Sequence, residues 1–398
     1  MTTPVKSEYS YHEFCDYARR FNQVELLAAI ARTAVALPDD WVKKPAFRGT
    51  PPWALAALAK ASIVHGNQHR SVAVKPGDVP FGCAIYSNPT MEELKIAASD
   101  PVFDLLLRVA YQQFPYQESA YEELARAEAF FNGYSGRKQL EVIDKDAVIE
   151  LLGAPVREAV GVAFMLWAST MLHGGFFDPA WLGQDNFAEV LQEVPSEQVE
   201  SVIDTSLATD FDGFKHMAAS APVLPSLERY MFNPLTARPL LRLEDGRLLA
   251  PVPQLILHRL SPIEQYYQGV DRWGDPFARD MGELLEDYVG RQLRTLPGAT
   301  VYSEISYGGK HNTEKKSVDW IVEFDDLVLL VDAKATRLAA APRAGAETTQ
   351  AAVTRALSRG LNQIDTTHQL ILSGAAGFFT CLPTVRSSAW WPRSTPGT

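Results

Sequence analysis

The stretch Ser317-Val318-Asp319-Trp320-Ile321-Val322-Glu323-Phe324-Asp325-Asp326-Leu327-Val328-Leu329-Leu330-Val331-Asp332-Ala333-Lys334 decides how the rest of the chain is read. Two runs of β-branched, aliphatic and aromatic residues flank Asp325-Asp326, which predicts two strands joined by a tight turn. With those two residues as the loop, Phe324 opposes Leu327, Asp319 opposes Asp332 and Ser317 opposes Lys334. Side chains alternate faces along a strand, so Asp319, Asp332 and Lys334 share one face. Directly opposed residues have Cβ atoms about 4.5–5.5 Å apart, where like charges destabilise. Two carboxylates in that position ask for a positive charge between them, and a divalent cation with oxygen ligands fits. The other face carries Val318, Trp320, Val322, Phe324, Leu327, Leu329, Val331 and Ala333, which predicts a core face. The acidic face mixes Ile321, Val328 and Leu330 with Glu323. A plainer reading is an ordinary hairpin with its charges at the wet end.

Upstream, Phe277, Met281, Leu284, Leu285, Tyr288, Val289, Leu293 and Leu296 recur at helical spacing. Glu286 lies at the edge of that stripe, from which it can reach a sheet the helix packs on, while Glu283 and Asp287 fall toward solvent. Thr300 to Tyr307 predicts a first strand and Gly308-Gly309 a turn. The order is helix with Glu, strand, strand with Asp, strand with Asp-x-Lys.

That order resembles the PD-(D/E)xK nuclease superfamily, the restriction-endonuclease-like fold, over about the last 120 residues. Val318 stands where the motif has proline, and Asp332-Ala333-Lys334 supplies the second acid and the lysine. The resemblance implies that Asp319, Asp332 and the carbonyl of Ala333 hold Mg²⁺ or Mn²⁺, with Glu286 completing the shell directly or through water. It implies that Lys334 orients or deprotonates the attacking water and offsets phosphate charge. The expected reaction is phosphodiester hydrolysis in nucleic acid, with DNA favoured. Beyond Lys334, a helix from about Glu347 to His368 is expected to cover the sheet. Arg355 and Arg359 share a face there, continued by Gln363, and are candidates for substrate contact beside the plainer reading of a solvated face. Gln363 also resembles a glutamine found near the site in some branches. Residues 376–382 predict a further strand. Residues 383–398, with Trp390-Trp391 among prolines, predict a disordered tail or the truncated or frame-shifted end of a longer relative.

Composition bounds the rest. Charged residues make up 21% and the formal net charge is −11, so charge alone does not make the chain a polyanion binder. Residues 281–398 balance 12 basic against 12 acidic side chains, which puts the acidity upstream. Cys15, Cys83 and Cys381 are scattered and odd in number, which suits a reducing compartment and argues against a disulfide framework or structural zinc. The longest apolar run, Val160 to Leu172, is too short to span a bilayer. Neither it nor the first residues read as a membrane or signal segment, so the expected location is cytoplasmic. His65 and His69 sit four apart around Gly66-Asn67 and lack the glutamate of a zinc helix; His311 falls in a linker. No glycine-rich phosphate loop occurs.

Residues 1–221 predict a mainly helical domain of unassigned role. Its helices are expected over Phe14–Leu37, from Thr50-Pro51-Pro52 with Thr50 as N-cap, and over 101–113, 117–132, 145–172 with a break at Gly153-Ala154-Pro155, 186–193 and 196–218. Residues 222–275 predict a connecting hairpin, turning at Glu244-Asp245-Gly246, and a helix. The expected whole is α+β: helical region, connector, a 276–382 nuclease-like α/β core with a central mixed sheet, and the 383–398 tail. The expected partner is nucleic acid, with no membrane and with room for a homodimer or a protein partner. Two alternatives stay open: a nuclease-fold module that binds nucleic acid or protein without cutting, and a helical scaffold bearing a decayed nuclease.

Overall fold

Asn22 starts a second helix three residues after Arg19 has closed the first. Its side chain accepts from the backbone N–H of Glu25, which satisfies a donor the first turn leaves over. The stretch Phe14–Leu37, predicted as one helix, is therefore two, Tyr11–Ala18 and Gln23–Val35. The computed structural model of the chain describes residues 6–38, 40–94, 113, 116, 120–136, 138–220, 228–308, 315–335, 348–375 and 377–378. Most of the predicted 101–113 helix, His311, most of the 376–382 strand and the 383–398 tail lie outside them. The chain divides into two compact units: Met1–Met281 with Arg337–Val353, and Gly282–Thr336 with Thr354–Thr398.

In the first unit, the helices Tyr11–Ala18, Gln23–Val35, Pro52–His65 and Asp78–Ser87 bury Phe14, Leu27, Ile30, Leu55, Leu58 and Cys83 in a shared core. Thr50, predicted to cap the Pro52 helix, is buried and its hydroxyl donates to the Phe47 carbonyl, while the helix starts without a side-chain cap. The break expected at Gly153 is present between Lys145–Leu152 and Val156–Leu172. Gly153 takes φ 85°, where L residues with a Cβ are strained. The predicted 196–218 helix starts at Ser196 but is interrupted: Ser196–Val202 widens into a π turn over Ile203–Leu207, enters a strand, and a separate helix runs Phe211–Ser220.

That strand changes the domain plan. Four strands, β1 (Phe176–Phe177), β2 (Ala208–Thr209), β3 (Leu240–Arg242) and β4 (Leu248–Leu249), form a mixed sheet in the order β1-β4-β3-β2. The hairpin β3–β4 turns through Gly246 at φ 85° and sits at its centre, with β2 parallel to β3 and β1 antiparallel to β4. Residues 228–275, expected as part of a connector, thus belong to the first unit and supply the central hairpin of its sheet. Two buried charges tie that unit together. Arg229 donates to Glu93 and to the carbonyls of Tyr9 and Tyr86. Asp280 accepts from the backbone N–H groups of Glu141, Val142 and Ile143 at 2.9, 2.7 and 2.9 Å.

The second unit is built on the stretch that opened the sequence reading. Strands β5 (Thr300–Ser303), β8 (Trp320–Glu323) and β9 (Val328–Val331) pair antiparallel in the order β5-β8-β9. Trp320 opposes Val331 and Glu323 opposes Val328, and Phe324 N–H donates to Leu327 C=O across Asp325-Asp326. This is the register read from the sequence. Two short strands, β6 (Ser306–Tyr307) and β7 (Lys315–Lys316), pair separately. Among the described residues the three-stranded sheet is antiparallel, and the mixed sheet expected there stands in the first unit instead.

The assignment of one core face needs correction. Trp320 and Val322 are buried, yet Leu327 and Leu329 on the same face are exposed. Ile321, on the acidic face, is fully buried and clusters with Val318, Ile371 and Phe378, flanked by Val328, Leu330 and Ile364. Each face of β8 is covered by its own helix. Thr348–Leu372 covers the Ile321 side, and the end of Asp275–Leu293 from Glu286 on, with Arg294 just past it, covers the Trp320 side. A strand covered twice shows no clean alternation of burial. Overall the chain is a mixed α+β protein, and among the described residues no helix is long and apolar enough to cross a membrane.

Candidate functional site

Asp319 and Asp332 each stand one step beyond the last paired residues of β8 and β9. The ladder has ended there, so main-chain groups near them need other partners. The Thr348–Leu372 helix supplies them. Thr367 Oγ1 accepts from Val318 N–H at 3.0 Å, and Gln363 Nε2 donates to Ser317 C=O at 2.6 Å. The Ser317 hydroxyl accepts from Ile305 N–H at 2.8 Å, which fixes the same segment from the β5 side. Ser317 and Thr367 are both buried. The chain entering Asp319 is thereby clamped from two directions.

Asp319 is buried, and its Oδ2 accepts from Ala333 N–H at 2.6 Å. One carboxylate therefore reaches across to the strand that carries the other. Burial raises the Asp319 carboxyl above its ordinary range, opposed by the Ala333 N–H and the Lys334 ammonium. The charges of Asp332 and Glu304 add to the rise. Glu304 is itself held by Lys316 at 2.6 Å.

Asp332 is more enclosed, with only 2% of its side chain accessible. Its Oδ1 accepts from Lys334 Nζ at 2.7 Å, and the same ammonium lies 3.4 Å from Gln363 Oε1. Its Oδ2 is buried and, among the described residues, has no hydrogen-bond donor. A carboxylate oxygen in that condition is uncommon, since buried polar atoms are almost always partnered.

The structure thus brings Asp319, Asp332, Ala333, Lys334 and Gln363 to one end of the hairpin. Arg355 and Arg359 are exposed on the Thr348–Leu372 helix. Glu286 is half-buried on the helix over the Trp320 side of the sheet, where its carbonyl accepts the Trp320 indole N–H at 3.0 Å. Among the described residues no group of three or more His, Cys, Asp or Glu is placed to hold a metal ion, so Glu286 is not gathered with the two aspartates. His65 ends the Pro52 helix and its ring is pushed toward neutrality by burial. Sequence reasoning missed Ser317, Thr367 and Glu304. The one available signal was Thr367 at i+4 from Gln363, which puts both on one helix face.

The donors at this end are carboxylate and carbonyl oxygens, which suit hard divalent cations, and Asp332 Oδ2 has no hydrogen-bond donor among the described residues although its carboxylate is paired with Lys334. No family model, no curated protein and no solved structure matches the chain.

Proposed function

We propose that the second unit is a divalent-cation-dependent nuclease with a restriction-endonuclease-like core, hydrolysing phosphodiester bonds in nucleic acid, with DNA favoured. The observation that carries this reading is the opposition of Asp319 and Asp332 beside Lys334, with Asp332 Oδ2 buried and lacking a donor among the described residues. Asp319, Asp332 and the carbonyl of Ala333 would hold Mg²⁺ or Mn²⁺. Two carboxylates suffice for Mg²⁺, which keeps several waters and takes remaining ligands from substrate phosphate. Glu286, on its separate helix, has at most a water-mediated part in the shell. When bound, the cation supplies a water of lowered pKa and neutralises charge on the phosphate and leaving oxygen.

The chain's own residues do the rest. Ala333 N–H fixes Asp319 Oδ2, and Oδ1 would serve as the ligand to the cation. Lys334 Nζ, beside Asp332 and Gln363, orients the attacking water, assists loss of its proton and meets the phosphate charge. The water oxygen bonds to phosphorus as the bond to the leaving sugar oxygen breaks. Arg355 and Arg359 lie exposed and offer contacts to flanking phosphates, with salt-sensitive and modest affinity in so acidic a chain.

Incubating the full chain with plasmid, single-stranded DNA and RNA in Mg²⁺ or Mn²⁺ tests the reading. Wild type is expected to cleave at least one of them. Asp332→Ala and Lys334→Ala, with unchanged circular dichroism, are expected to lose about a hundredfold or more. Retained nucleic-acid binding without cleavage by wild type would replace the enzyme with a binding module.

A further inference from the structure

Lys60 carries a charge that the first unit does not answer. It lies on the Pro52–His65 helix, where from Ala54 to Ile63 only Ala57 and Lys60 are not fully buried. Trp53, Ala57 and Val64 share its helix face and pack against the core, while Lys60 itself is half-buried and reachable from solvent. Its Nζ makes one hydrogen bond, to the Met231 carbonyl at 3.4 Å, and among the described residues no carboxylate pairs with it. An ammonium offers three donors, and one long contact leaves most of that capacity unused. Arg229 shows how a structural cation of the same unit is treated: Glu93 and the carbonyls of Tyr9 and Tyr86 hold it.

The groups around Lys60 are proton donors. The buried Cys15 thiol is its nearest titratable neighbour, and the Tyr11 hydroxyl, one turn earlier on the Tyr11–Ala18 helix, interacts with that thiol. Burial pushes the thiol up to about 11 and raises the phenol as well, so both keep their protons at neutral pH. The exposed Glu228 is the lesser influence on Lys60, and Arg229 acts on Cys15. Burial lowers the Lys60 ammonium to about 8, as it does for any lysine taken from water without a counter-charge.

We propose that Lys60 is a nucleophilic amine anchoring a site for a small aldehyde or ketone, with the Cys15–Tyr11 pair beside it handling the proton. The amine lone pair attacks the carbonyl carbon and the carbonyl oxygen takes up a proton. The resulting carbinolamine then expels that oxygen as the C=N bond forms. Both amine hydrogens leave with the oxygen as one water, and no oxidant or reductant takes part. The site belongs to the first unit and is independent of the nuclease reading.

The test treats the full chain at pH 7 with propanal and sodium cyanoborohydride, which reduces each imine to a stable amine, and counts labelled lysines by peptide mass spectrometry. The exposed Lys75 and Lys145 are the controls. At pH 7 about a tenth of a lysine titrating near 8 is neutral, against well under a thousandth of an ordinary one. Partial burial and weaker basicity give back part of that advantage. Lys60 is expected to be labelled at least tenfold faster than the controls, with a rate that saturates as propanal rises and a pH profile that bends near 8. Labelling of Lys60 no faster than the controls overturns the proposal. A rate that stays linear in propanal marks a merely reactive amine and overturns the site. Cys15→Ala and Tyr11→Phe, with unchanged circular dichroism, are expected to slow Lys60 several-fold and leave the controls alone. Unchanged Lys60 labelling in both overturns the role of the pair.

Discussion

Gly290→Ala is the sharpest test of how the second unit is held together. A Cβ at Gly290 would lie 2.1, 2.4 and 2.5 Å from Cζ2, Cη2 and Cε2 of Trp320. Carbon atoms pack best at about 3.5–4.0 Å, so the indole would have to retreat by more than about 1 Å. It has nowhere easy to go. Its N–H is bound to the Glu286 carbonyl at 3.0 Å, and the Arg294 guanidinium lies 4.6 Å from the ring centroid. Its backbone is central in the sheet, between Ser303 and Val331. Overpacking of this kind costs about 1–3 kcal/mol, and loss of the indole hydrogen bond adds about 1 kcal/mol. Replacing glycine by alanine within a helix returns roughly 1 kcal/mol. The net expectation is destabilisation of about 1–3 kcal/mol, confined to the second unit. The chain holds eight tryptophans, so fluorescence does not isolate the effect. Hydrogen exchange of peptides covering β8, followed through urea, does. In a Trp320→Leu background the clash is gone, and Gly290→Ala should become stabilising by up to about 1 kcal/mol. An equal cost in both backgrounds, or none in wild type, would refute the argument.

Two further outcomes are expected. Asp280 accepts three backbone N–H groups with two oxygens, and asparagine offers only one acceptor oxygen. Asp280→Asn should therefore strand at least one donor at a cost of about 1–3 kcal/mol, with faster exchange at residues 141–143 as the specific mark. Asp319 gives a pH signature. Its folded-state pKa is raised by burial, so above the ordinary carboxylate value the folded state binds more proton than the unfolded state. Stability contributed by this group therefore falls as pH rises through that window. Asp319→Asn removes this slope, and the variant should be the more stable at neutral pH. Urea midpoints of both proteins between about pH 4 and 7 read the difference, and a wild type that gains on the variant as pH rises contradicts it.

The chain by itself determined the hairpin of the second unit, because strand alternation and a two-residue turn fix which numbers oppose one another. Asp319 across from Asp332, with Lys334 two steps on, follows from that register. The helix breaks at Gly153 and the turn at Gly246 were likewise written in local backbone chemistry. Other features depended on contacts distant in the chain. Strands β1 and β2 are two residues each and acquire meaning only when the hairpin at 240–249 lies between them. That is why residues read as a connector join the first unit. The face holding Ile321 looked half-polar in sequence and proved buried, since burial depends on the helix brought over it. Glu286 has the right spacing on its helix, yet the side of the sheet on which that helix packs is set by Trp320 seated against Gly290. Lys60 beside Cys15 lay beyond any sequence pattern, because a helix lysine reads as solvated until folding sets another helix and the Met231 carbonyl against it.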